Sequence, residues 1–186
     1  MSSLPETAPD FDQPLAVLKH CHNKIRKQLL TLEKLGAYLQ RQSQDQETRQ
    51  AAGAVLRYFS QAAPHHHADE EENLLPMLHD VARDADAQLL EQLAPGIKKD
   101  HREMEFIWSR LAQPLGRLAE GVDAALPESD IEDFSLLYAR HMEIEEAHIA
   151  PMAQRLFTPA QMQQLGMAMR ERRGIEHPEG GRDGAC

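Results

Sequence analysis

Cysteine is nearly absent from this chain of 186 residues: only Cys21 and Cys186 occur, and neither belongs to a Cys-x-x-Cys pair. Aromatic residues make up only 5%, and β-branched runs and hairpin dipeptides are scarce, so strands are not expected. No apolar run approaches the roughly 18 to 20 residues of a membrane span. The opening Met-Ser-Ser-Leu-Pro-Glu-Thr-Ala-Pro-Asp has neither the basic nor the apolar region of a secretory signal. Together with the few thiols, this points to a reduced cytoplasmic compartment. Excess basic charge is missing too. A formal charge of −10 offers no stripe for phosphates and argues against a nucleic-acid partner.

What is present suits helices. The chain is 41% hydrophobic and 27% charged, long enough for one domain with a buried core. Residues 1–11 read as a flexible N-terminal arm, 12–174 as the folded domain and 175–186 as a disordered tail. A first helix is expected from about Asp12, with Pro14 in its first turn and a stripe of Leu15, Leu18, His22, Ile25, Leu29, Leu32 and Leu39. Asp45 is a candidate N-cap for the second. Its stripe is Val55, Phe59, Ala62, His66, Glu70, Leu74 and Met77, with a kink or restart expected at Pro64 and an end near Leu75, before Pro76. In the third region Pro95-Gly96 is expected to separate a short piece, Ala87 to Leu93, from a longer helix. That helix carries Ile97, His101, Met104, Trp108, Leu111, Leu115 and Leu118. Ser129 with Glu132 reads as a capping box for the fourth helix, which carries Phe134, Tyr138, His141, Glu145, Ile149, Met152 and Leu156. Thr158-Pro159-Ala160-Gln161 opens a short extra helix that Gly174 ends.

One motif occurs twice. His66-x-x-x-Glu70-Glu71 is followed by Pro76, and His141-x-x-x-Glu145-Glu146 by Pro151, in each case ten residues after the His. A lone His precedes each copy, His22 by 44 residues and His101 by 40. On a helix, positions i and i+4 share a face, so each copy presents an imidazole and a carboxylate in one direction. Two such helix pairs facing each other gather four His and two Glu, as helical bundles do to hold metals.

Magnitude favours metal over a plain core. An unpaired buried carboxylate costs several kcal/mol, whereas a domain is stable by only about 5 to 15 kcal/mol. Nitrogen and carboxylate donors without thiolate suit Fe, Mn or Zn. The expected ligands are His22, His66, Glu70, His101, His141 and Glu145. His22 and His66 would serve one ion, His101 and His141 the other, with the two Glu between. Glu71 and Glu146 read as supporting or solvated charge, His65 and His67 as solvent-facing or outer neighbours. Tyr138 reads as core or as a hydrogen-bond partner of the site.

These residues resemble the hemerythrin-like HHE cation-binding domain over about residues 12–157. The resemblance implies an all-α, up-down four-helix bundle holding a non-haem centre of two Fe ions, with Mn or Zn possible. It also implies a small diatomic or peroxide ligand, namely O2, peroxide or nitric oxide. The oxygen carriers of that family place two His four apart on the third helix. Here the positions around His101 hold Ile97 and Glu105, so a fifth His is missing unless Glu105 takes its place. Iron–sulfur repair members carry an N-terminal Cys-Cys segment that this chain lacks. The alternatives are a sensor or storage module acting through a partner protein without turnover, and a metal-free helical interaction domain.

Overall fold

The four apolar stripes become four long helices in a computed structural model that describes residues 10–175. Helix α1 is Pro14–Leu39. Helix α2 runs over 46–81 in helical segments Gln46–Arg57, Ala63–Ala68 and Leu75–Val81, joined by wider π turns at Tyr58–Ala62 and Asp69–Leu74. Helix α3 is Asp84–Ala119. Helix α4 covers 128–156, with a π turn at Glu145–Ile149. Helix α5 is Pro159–Arg172. No strand occurs among the described residues, and none of these helices is long and apolar enough to cross a membrane. The expected tail, and the expected arm up to residue 9, lie outside the described residues apart from Ile175.

Local signals act largely as expected. Asp45 caps α2 through Thr48, and Thr158 caps α5 through Gln161, both as reciprocal capping boxes. Gly174, just past α5, takes a φ of 63° that side-chain-bearing residues avoid. Ser129 does not cap α4. Pro127 occupies the N-cap position, and Ser129 falls inside the first turn.

Proline behaves differently from its sequence expectation. Each π turn ends two residues before a proline: Ala62 before Pro64, Leu74 before Pro76, Ile149 before Pro151. A proline cannot donate to the carbonyl four residues back, and its ring collides with it. Widening the turn relieves that collision, and the helix continues. Hence α2 passes Pro76 and reaches Val81. Pro95-Gly96 does not interrupt α3 either. Pro95 lies on the exposed face, where water can serve the carbonyl it leaves, while buried Leu90, Ala94 and Ile97 hold the helix on both sides.

The core falls into two apolar clusters with a polar layer between them. One contains Ile25, Val55, Phe59, Met104, Leu111 and Phe134. The other contains Leu18, Leu74, Leu78, Leu90, Ile97, Ile149 and Met152. Along α1 and α3 the chain passes from the second cluster to the first. Along α2 and α4 it passes the other way. That alternation is an up-down bundle, and each of these four helices crosses the middle layer at a histidine.

Candidate metal centre

The middle layer contains all six expected residues. His22, His66, Glu70, His101, His141 and Glu145 are each only 1 to 5% exposed. They form two overlapping groups, His22, His66, Glu70 and Glu145, and Glu70, His101, His141 and Glu145. Within each group the nearest donor atoms lie within 4.8 Å of one another. The two carboxylates belong to both.

Their orientation is specific. Glu70 turns Oε1 to His66 Nε2 at 3.1 Å and Oε2 to His101 Nε2 at 3.3 Å. Glu145 turns Oε2 to His22 Nε2 at 3.2 Å and Oε1 to His141 Nε2 at 3.2 Å. Each carboxylate therefore offers one oxygen to each histidine pair. His101 and His141 bring their Nε2 atoms to 3.0 Å.

A second ring of carboxylates aims the imidazoles. His22 Nδ1 lies 2.9 Å from Glu146 Oε1, which Arg26 also holds at 2.9 Å. His101 Nδ1 lies 2.7 Å from Glu71 Oε1. An ionised carboxylate only accepts, so Nδ1 carries the hydrogen, and the inward Nε2 has a lone pair to offer a cation whenever the ring is neutral. The bracing is reciprocal: the second Glu of each motif copy holds the lone His of the other half. Asp100, which no sequence signal singled out, lies 3.7 Å from His141 Nδ1 and accepts from Arg140 at 2.9 Å.

Charge in this layer is unbalanced without a cation. Burial and the neighbouring Glu145 charge push the Glu70 carboxyl well above the usual carboxylate range. Burial acts on Glu145 too, but hydrogen bonds from His141 and His22 outweigh it and hold that carboxyl well below the range. His22 and His141 are raised above ordinary imidazole: burial opposes their charge, and the hydrogen bond and charge of Glu145 overcome it. Burial, reinforced by His22, keeps His66 well below it. Of the layer's buried polar atoms, His66 Nδ1 and His141 Nδ1 have no hydrogen-bond partner among the described residues, and His22 Nε2, His66 Nε2, Glu70 Oε2 and Glu145 Oε2 have only the His–Glu approaches of 3.1 to 3.3 Å. At about 1 to 3 kcal/mol for each unsatisfied group, these two nitrogens alone would take a large share of the about 5 to 15 kcal/mol by which a domain is stable. This donor set fits divalent first-row cations, which would make ligands of the inward-facing atoms.

Glu105 does not supply a further ligand. It is exposed, and reaches the mouth of a cavity beside the layer instead. His67 is half-buried and turns toward the layer. Its ring stacks on His101 with centroids 4.0 Å apart, and its Nε2 lies 3.3 Å from the Tyr138 hydroxyl. Burial and the adjacent His101 keep it well below ordinary imidazole, hence neutral. Asp69, fully buried next to Glu70, accepts from Arg172 and from Arg173 at 2.7 Å, tying α5 to the turn that carries Glu70.

An up-down bundle with a buried layer of four His and two bridging Glu is the architecture of a cation-binding helical domain. The family model of the hemerythrin HHE cation binding domain matches residues 13–153, and the chain belongs to that family. It is also similar to an uncharacterized protein of Haemophilus influenzae, with 27% identity over 172 residues that cover 92% of this chain and 96% of the relative.

Proposed function

We propose that His22, His66, Glu70, His101, His141 and Glu145 hold two iron ions, with Mn or Zn as alternatives, and that the centre binds or reacts with O2, peroxide or nitric oxide. One observation carries this reading: both buried carboxylates divide their oxygens between the two histidine pairs. That division suits two bridged ions better than one. With two imidazoles and two shared oxygens apiece, each ion keeps room for a small external molecule. A cytoplasmic setting is part of the reading, supported by a pair of cysteines too few for a disulfide framework.

The test is metal analysis of full-length protein purified without oxygen. About two ions per chain are expected, falling well below one in a Glu70→Ala, Glu145→Ala double variant that still folds. A single ion per chain, or full retention in the variant, would reject the bridged pair.

A sensor without turnover is the second reading, and the Asp69 clamp favours it. Arg172 at the end of α5 and Arg173 just past it grip the residue next to Glu70, so a change at the centre would have a mechanical route to the last helix. Steady-state assays with peroxide or nitric oxide separate the two, since a sensor reacts once per centre and stops.

A further inference from the structure

The groove between α3 and α4 has Phe106 and Leu136 on its two rims, over a floor of Ile107 and Leu137. Each rim residue is 62% exposed, and every other large apolar side chain of the described residues is less than half exposed. One such residue alone needs no explanation, because apolar atoms make up much of any protein surface. The two most exposed ones sharing a groove point to a contact face.

The face is also held ready. Arg110 lies over the Phe106 ring at 4.9 Å and donates to the buried Asp130 through two N–H groups. At the other end Arg140 donates to the buried Asp100 at 2.9 Å. A guanidinium has more N–H donors than these bonds use, so both arginines, exposed at the rim, keep donors for a partner. Side chains fixed in advance lose less entropy on binding, and arginine is enriched among the residues that dominate interfaces.

Charge then orders the ends. The helices run antiparallel, so Lys99 and Arg140 fall at the end near the polar layer, and Arg110 and Asp133 at the end near Phe134. Glu103 lies between Lys99 and Phe106 on α3. The arginines are paired within the chain, whereas Glu103 and Asp133 are exposed carboxylates. From this pattern we infer that the groove binds a second copy of the chain, in a two-fold dimer whose axis crosses α3 and α4 at Phe106 and Leu136. Such an axis reverses the groove end for end and matches it to itself. It sets the Arg140 end of each copy over the Asp133 end of the other and turns Glu103 toward the second Arg110, while Phe106 meets Phe106 and Leu136 meets Leu136. At −10 the chain repels its own copies on most faces. This groove, with three basic and two acidic residues, does not. A partner of a single charge sign would leave one of those sets facing its like.

Sedimentation equilibrium of the full-length protein tests this, with a concentration-dependent dimer expected. Phe106→Glu and Phe106→Lys each set like charges face to face across the axis and should weaken the dimer at least tenfold, with the melting temperature unchanged at this exposed position. Mixed in equal amounts, the two variants should pair again to within tenfold of the parent, because opposite charges then face each other. Leu136→Glu and Leu136→Lys repeat the test on the other rim, and decide it if a Phe106 variant does not fold. Wild-type protein that stays monomeric up to about 1 mM would overturn the inference and leave the groove to a different protein. So would mixed variants that stay monomeric, or a dimer that the Glu variants do not weaken, since its contact would then lie on another face.

Discussion

Glu71 and Glu146 show what a single residue adds when its neighbour already has the obvious role. Each follows a carboxylate of the polar layer and points a quarter turn away, where it meets an imidazole from the opposite half. Losing such a partner typically lowers metal affinity about 10- to 100-fold. Glu71→Ala and Glu146→Ala should each fall in that range, and the Gln variants, which keep an acceptor, should lose less. Competition against a chromophoric chelator measures both; wild-type affinity in the two Ala variants would show that the bracing is idle. The six inward residues were legible in the sequence because His and Glu four apart form a local pattern, and the pattern occurs twice. The bracing of His22 by Glu146 spans 124 positions and that of His101 by Glu71 spans 30. Period and spacing say nothing about such contacts. Asp100 illustrates the limit: it adjoins His101 in the chain yet faces His141 across the helix interface.

Elements were legible wherever burial sets the helical period and less so where proline intervenes. Proline was read as a break at Pro76 and Pro95, whereas the helices absorb it, through a π turn at Pro76 and on an exposed face at Pro95. Two of the π turns carry Glu70 and Glu145, so the prolines ten residues after His66 and His141 shape the backbone at the buried carboxylates rather than close the helices. The docking of α5 had no sequence signal beyond its caps. It depends on a close approach: a Cβ built on Gly166 would come within 2.0 Å of the Phe11 carbonyl oxygen. Arg170 fastens the same junction, reaching Asp10 at 2.8 Å. Gly166→Ala must therefore push the segment before α1 off the last helix. Overpacking of this kind costs about 1 to 3 kcal/mol. The expected result is a lower melting temperature with metal content unchanged, because the segment at Phe11 yields while the grip of Arg172 and Arg173 on Asp69 stays. A variant as stable as the parent would mean that Phe11 is not held against α5.

At the scale of the whole molecule, two apolar clusters are joined through a layer whose charge state depends on its contents, and that sets opposite pH responses. From about one unit above the ordinary imidazole value of about 6.5, His66, His67 and Glu145, all lowered, have lost nearly all their protons in both folded and unfolded chains. They contribute no slope there. His22 and His141 are raised, so in this window they make the folded metal-free chain bind more protons than the unfolded one. Stability then falls as pH rises: the contribution of His22 and His141 is complete below 6.5 and is lost through their folded values. Metal binding works the other way, since it needs neutral imidazoles and ionised carboxylates and releases the protons those groups hold. Its affinity therefore rises with pH over the same window. Melting temperatures from about pH 7.5 to 9 should fall for the metal-free protein and hold or rise for the loaded one, and loading in weak buffer at about pH 7 should acidify the solution. Parallel curves with no proton release would mean that the cations sit outside the His–Glu layer.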